Sequence, residues 1–317
     1  MLISGSSKAG KSFLMMELCI AIAEGRRWLS FPCRKGRVLY INLEIDPASA
    51  INRFLKIYEA LGIPPAHAED IVIWNLRGRA LPLDQLVPKL IRRIRNQHFD
   101  AIILDPIYTV ITGDENKASD MGAFCNQFDL ICSETGCSTI YSHHHSKGAQ
   151  GAKKAMDRAS GSGVFARDPD AQLDMVQLEL TEHLKNNVRD GTATAWRLES
   201  SLREFPNIEP VDFWFEYPIH RVDDSGALNS VYAEGSPMGN LTKSGKRNTQ
   251  EDRKASVEMA YNVCSFELPV SLESMAEYMG VSIRCARDRI KECGNEYTIK
   301  GGYVVKAEKA GSTEIGK

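Results

Sequence analysis

No run of about 18 or more consecutive apolar residues occurs in the 317 residues, so nothing in the sequence is built to span a bilayer as a helix. The amino end lacks a basic segment followed by an apolar one, the pattern of a secretory signal. Eight cysteines are present, without a C-x-x-C pair or a regular spacing, which excludes a disulfide framework read from sequence. These absences lead to the expectation of a soluble, cytoplasmic protein in a reducing setting, with no membrane partner. Charge of one sign is also missing: 39 Lys and Arg stand against 41 Asp and Glu, a formal net charge of −2. Any nucleic-acid binding must then come from a local groove or a ring of subunits, not from a globally basic surface. What is there is a 43% share of hydrophobic residues, enough at this length for a substantial core in one large or two unequal domains.

Short β-rich apolar runs alternate with segments of helical period from residue 1 to about 222. The runs are Leu2-Ile3-Ser4, Arg37 to Leu43, Ile71 to Trp74, Asp100 to Asp105 and Cys137 to Ser142. Such alternation predicts an α/β domain over 1–222, a mainly parallel sheet covered by helices. Between the first two runs, Lys11 to Glu24 places Phe13, Met16, Leu18, Ile20 and Ile22 densely enough for a buried helix. Residues 223–254 are rich in Gly, Ser, Asn and charge with little apolar periodicity, and read as a flexible linker. Beyond it, over 255–310, two short helices (Ala255 to Phe266, Ser271 to Met279), a third ending at Cys293 and a hairpin around Gly301-Gly302 describe a small winged helix-turn-helix domain.

Chemistry is concentrated first at Gly5-Ser6-Ser7-Lys8-Ala9-Gly10-Lys11-Ser12, which fits G-x-x-x-x-G-K-[ST] between a strand-like run and a helix. The glycines let backbone N–H groups curl round a phosphate chain, and the helix amino end adds partial positive charge. Lys11 reaches the β- and γ-phosphates of ATP and Ser12 ligates Mg²⁺. Phe13, next on the helix, completes the set of nucleotide-contacting residues. A chance Gly/Ser turn would not carry both flanking elements. The loop begins four residues after Met1, the abrupt start that a truncated chain or a late start would give.

Four apolar residues, Ala101 to Leu104, end in Asp105, the form of a buried strand presenting an acid at its carboxyl edge. Asp105 is the candidate second Mg²⁺ residue, or else caps the following turn. Glu44 ends another such run and is placed to orient or deprotonate an attacking water. Asp46 could take that role, and Glu44-Ile45-Asp46-Pro47 could equally be a helix-capping turn. His143-His144-His145 looks like a metal site, but consecutive strand residues point to opposite faces and no second cluster at ligand spacing accompanies them. A polar sensor of the γ-phosphate is the preferred reading.

Together these motifs resemble the RecA-like hexameric ATPases of the plasmid RepA type, replicative helicases of mobile elements, over roughly residues 1–200. The carriers are the phosphate loop, VLYINLEIDPASAINRF, IILDPIYTVITGDEN with Glu115-Asn116, ETGCSTIYSHHHSKG, and Lys185 to Asn187. The resemblance implies Lys11 and Ser12 for phosphate and Mg²⁺, Glu44 as catalytic base, Asp105 as the Walker-B acid and His144 as γ-phosphate sensor. It also implies a basic finger from a neighbouring subunit. Asp170 occupies the position where a simple alignment puts that arginine; Arg167 is the nearest substitute, with Lys185 and Arg189 as alternatives.

The expected function is an ATP-hydrolysing motor with Mg²⁺, a DNA helicase acting on single-stranded DNA as a ring of identical subunits, alongside replication proteins. Channel candidates are Thr112 to Ser119 and the basic Lys147 to Arg158, with Lys153, Lys154 and Arg158. In the winged-helix region, Arg284, Arg287, Arg289 and Lys291 with Tyr303 suit a groove reader, while Asp288 and Glu292 interrupt the charge and leave protein docking open. Two rival readings are a nucleotide-switched DNA-binding regulator and a recombinase-like or helicase-loading ATPase.

Overall fold

The computed structural model describes residues 1–146, 150, 151, 153, 158, 167–181, 184, 192–236, 250–265, 269–279 and 281–307. The chain divides into two units, Met1–Glu179 with Thr192–Asn240, and Leu180–Gly191 with Leu241–Lys317.

In the first unit the order is β1 (Leu2–Gly5), α1 (Lys11–Glu24), the two-residue strands β2 (Arg27–Trp28) and β3 (Phe31–Pro32), β4 (Val38–Asn42), α2 (Pro47–Leu61), β5 (Ile71–Asn75), α3 (Leu83–Ile94) and β6 (Ala101–Asp105). There follow α4 (Ala118–Thr135), β7 (Ser138–His144), β8 (Ala171–Gln177), β9 (Thr194–Leu202), β10 (Val211–Glu216) and β11 (Ile219–Val222). Nine strands make one sheet in the order β11-β10-β9-β8-β1-β7-β6-β4-β5. Pairing is parallel from β8 through β5 and antiparallel from β8 through β11.

The parallel strands are buried along their whole length in β1, β4 and β6 because helices cover both faces. Alternation sorts their side chains. Ile3, Tyr40, Ile103 and Ile140 join the core under α1 and α2, whereas Leu2, Leu39, Ile41, Ile102, Leu104 and Tyr141 join the core under α3 and α4. Helix α1 is buried nearly all round, with Phe13 and Ile22 only partly covered, and α3 buries the stripe Leu83, Leu86, Val87, Leu90 and Ile94. The expected α/β core, a mainly parallel sheet clothed by helices, is what the chain forms. The antiparallel extension β8 to β11 is additional to the five expected runs. Its first strand carries Gln172 and Asp174, both buried, which dilutes the apolar signal that marks the other strands.

Residues 223–236 are not the start of a free linker. Leu228 and Val231 are buried, Ala233 bridges Leu178, and Glu234 N–H donates to the Gln177 carbonyl. Two apolar side chains and a short antiparallel pairing with the end of β8 hold this stretch to the first unit, against the low local hydrophobicity that suggested a linker. Residues 237–249 lie outside the described part.

In the second unit, α5 (Gln250–Cys264), α6 (Leu272–Tyr278) and α7 (Ile283–Glu292) precede a hairpin of β12 (Tyr297–Lys300) and β13 (Tyr303–Lys306). Ser271 Oγ caps α6 by accepting from Ser274 N–H, and Ser282 Oγ caps α7 by accepting from Cys285 N–H. Gly301 and Gly302 both take positive φ, the combination a two-residue hairpin turn demands. Val257, Ala260, Met275, Ile290, Tyr297 and Val304 share one small core. Among the described residues no helix is long and apolar enough to cross a membrane.

Candidate nucleotide site

The carboxyl ends of the parallel strands lie along one edge of the sheet. Register pairs Gly5 with His144 and Asn42 with Asp105 there. The loop after β1 rises from this edge into α1, and its backbone sits in the left-handed region at Lys8 (φ 65) and Gly10 (φ 78). A non-glycine residue held so costs on the order of 1–2 kcal/mol, a strain kept only where surrounding structure fixes it. Gly10 is the N-cap of α1 and no side chain caps the helix, so the first-turn N–H groups have no side-chain acceptor. A Cβ on Gly5 would come within 3.1 Å of Met175 Cβ, and one on Gly10 within 3.1 Å of His220 Nε2. An uncapped helix amino end behind a curled loop fits a phosphate chain.

Lys11 is buried, and its Nζ donates to the carbonyls of Gly5 (2.9 Å) and Ser6 (2.7 Å) and lies 3.2 Å from His144 Nδ1. Burial lowers its pKa to about 8, against the opposing pull of the Asp105 and Glu44 charges. His144 is pushed down by burial and by the Lys11 charge, so its ring stays neutral and Nδ1 accepts from the ammonium.

Asp105 is buried at the end of β6. Its Oδ2 accepts from Tyr40 Oη and its Oδ1 from Ser142 Oγ, both at 2.6 Å, which fixes the carboxylate while leaving lone pairs on each oxygen. The turn after β4 presents Glu44 to solvent. Asn42 shapes that turn, accepting from Ile45 N–H and donating to the Ile45 carbonyl and to Asn75 Oδ1. Asp46 is occupied as the N-cap of α2, accepting from the N–H groups of Ala48 and Ser49 with Pro47 in the first turn. Of the two acids, Glu44 is therefore the one left facing the site.

Tyr108 is the residue that sequence reasoning missed here. Burial first, then the Glu44 charge and a hydrogen bond to it, raise the phenol, while its ring lies 5.5 Å from that of His144. Its signal was its place three residues after Asp105. The hairpin β10–β11 was missed as well. Phe215 and Tyr217 have their ring centroids 5.6 and 5.3 Å from that of Phe13, and Arg53 sits over the Phe13 ring at 4.8 Å.

The three histidines serve different purposes. His143 is buried in the strand, His144 faces Lys11, and His145 Nε2 donates to Asp174. Among the described residues no group of three His, Cys, Asp or Glu is placed to hold a metal ion alone. A donor set of Ser12 and Asp105 suits Mg²⁺, which is commonly bound through one or two protein groups together with substrate phosphates. Arg167 is exposed and precedes β8, whose register with β1 puts it at the opposite edge of the sheet from Lys11. Arg158, a channel candidate in the sequence, is instead buried and paired with the buried Asp174 and the half-buried Glu199, because an interior carboxylate such as Asp174 requires a cation. Lys154, Lys185 and Arg189 lie outside the described residues.

Residues 1–150 match the family model described as AAA domain. That stretch runs from β1 through β7 and carries Lys11, Ser12, Glu44, Asp105 and His144. The match and the loop geometry agree on a P-loop core over this stretch. Among solved structures, the chain is similar to one described as an ATPase domain, at 12% identity and a TM-score of 0.48, over 67% of this chain and 79% of that chain.

Proposed function

We propose that this chain is an ATP-hydrolysing motor that acts on single-stranded DNA as a ring of identical subunits, a helicase of the plasmid RepA kind serving a plasmid, phage or integrated element. The observation that carries the reading is the meeting of Lys11, Glu44, Asp105 and His144 at one sheet edge. Electrostatics link them: the charges of Asp105 and Glu44 both act on the Lys11 ammonium. Bound Mg²⁺-ATP would supply the phosphoryl group and the metal charge that polarises it. Lys11 and the uncapped amino end of α1 neutralise phosphate charge, and Ser12 and Asp105 hold the metal. Glu44 takes the proton of the attacking water, held by Tyr108 in the turn that Asn42 shapes. His144, neutral and touching Lys11, senses the terminal phosphate. A basic finger comes from the neighbouring subunit, and the exposed Arg167 is the candidate within the described residues.

One observation favours a second reading, the nucleotide-switched DNA-binding regulator. Arg284, Arg287 and Lys291 are exposed along α7, the helix that would read a groove if the second unit is a winged helix. The discriminating measurement is Mg²⁺-dependent ATP turnover with and without single-stranded DNA at two salt concentrations. Lys11→Ala should lose nucleotide binding, and Glu44→Gln should bind ATP without turning it over. Salt-sensitive stimulation by any single strand supports the motor. Slow turnover that ignores DNA, with sequence-specific duplex binding, supports the regulator. Equal turnover by Glu44→Gln and wild type removes Glu44 from the mechanism.

A further inference from the structure

Beside the phosphate loop, on the β8 side of β1, the first unit holds a buried charged cluster that the site as described does not use. Asp174 sits in the middle of β8, in register with Ser4 of β1, and its side chain is 1% exposed. Its Oδ1 accepts from Ser4 Oγ and from His145 Nε2, both at 2.5 Å, and its Oδ2 accepts from Arg158 Nη1 at 3.1 Å. Arg158 also pairs with Glu199 of β9, and its Nε donates to the Gln150 carbonyl. The Arg158 carbonyl accepts from the N–H and from the Oγ of Ser146. His145 N–H in turn donates to the Gly5 carbonyl, the same oxygen that accepts from Lys11 Nζ. His144 is thus flanked on its carboxyl side by two residues, His145 and Ser146, that are both tied to this cluster.

Packing alone does not call for such a cluster. An apolar strand would bury as well, and a buried ion pair is weak evidence for stability. What three donors on one interior carboxylate do supply is direction, since each fixes an angle as well as a distance. We propose that Asp174 is a positioning residue: through His145 it sets the His144 ring against Lys11, and Arg158 holds Asp174 in the orientation that does so. This rests on the reading of Lys11 and His144 as parts of an ATP-hydrolysing site. It adds that the rate of hydrolysis answers to a charge pair behind the sensor, on the far side of β1 from it.

The test is a double-mutant cycle on steady-state ATP turnover between Asp174→Asn and His144→Ala, each protein first shown to melt cooperatively. Asp174→Asn alone should lower kcat by about 10- to 100-fold, the effect of misplacing a reacting group. KM for ATP should change by less than about 3-fold, since the interaction matters to the transition state and not to binding. In the His144→Ala background the same substitution should lower kcat by less than about 2-fold, because the group through which it acts is gone. An equal loss in both backgrounds, or a rise in KM matching the fall in kcat, overturns the inference in favour of a general structural role. Should Asp174→Asn fail to fold, His145→Ala breaks the same link from its other end and faces the same two outcomes. Wild type turning over while indifferent to either substitution overturns the inference alone. Wild-type turnover no greater than that of Lys11→Ala overturns the reading of the site and this inference with it.

Discussion

Lys11 illustrates how a side chain named by a motif acquires its properties only from its surroundings. Eight residues of loop sequence assign it to phosphate, but burial is what brings its pKa from 10.5 to about 8. A phosphate chain in the loop would favour the ammonium and draw that pKa back up. Below about pH 8 the charge is present with or without nucleotide, so affinity is flat on this account. Above it, binding must take up a proton and affinity falls. ATP titrations at about pH 7 and about pH 9.5 should show the weaker binding at the higher pH, with proton uptake seen as a buffer-dependent binding heat. Unchanged affinity would mean that Lys11 is not the phosphate ligand. The choice between Glu44 and Asp46 was open in the sequence for a related reason. Both lie in one turn, and only the hydrogen bonds from Ala48 and Ser49 show that Asp46 is spent on the start of α2.

At the scale of elements, the junction of β1, its loop and α1 was the most legible part. A strand, a glycine-bounded loop and a helix are signalled by neighbours in sequence, and local signals survive into the fold. What crosses over that junction was not legible. The hairpin β10–β11 brings His220 beneath Gly10, where its ring stacks on that of Phe215 at 4.5 Å and pairs with Glu17 of α1 at 3.0 Å. Gly10 therefore meets two constraints at once, a φ of 78° and a ring nitrogen 3.1 Å from where a Cβ would stand. Gly10→Ala should reduce nucleotide affinity and lower stability by about 1–2 kcal/mol from the left-handed backbone alone. Denaturant melts and ATP titration of the same protein measure the two effects, and a variant with wild-type values in both would show that the loop does not need glycine there.

The whole molecule divides where composition changes, but not where composition places the cut. Polar, glycine-rich sequence begins after residue 222, yet Leu228 and Val231 are buried in the first unit and residues 232–234 pair with the end of β8. Burying each such side chain contributes about 1.5–3 kcal/mol. A chain ending after Val222 should therefore melt well below one ending after Ser236, by several degrees at least, as thermal unfolding of the pair would show. Equal melting temperatures would return residues 223–236 to the linker. The net charge of −2 said little at this scale. It averages over interior pairs such as Arg158 with Asp174, whose side chains are both buried.

By itself the sequence determined the α/β class, the phosphate loop, the identity of the strand-end acid Asp105 and the small helical unit with its glycine-turned hairpin. Each of these is written in a local pattern, a period of two or of 3.6 residues or a turn that only glycine makes easily. Tertiary structure decided which acid caps a helix and which does not, that Arg158 lies inside rather than along a channel, that Tyr108 reaches both Glu44 and His144, and that β8 to β11 extend the sheet. Those outcomes depend on residues far apart in the chain meeting across a sheet edge, and a buried charge is recognisable as such only once its partner is in place.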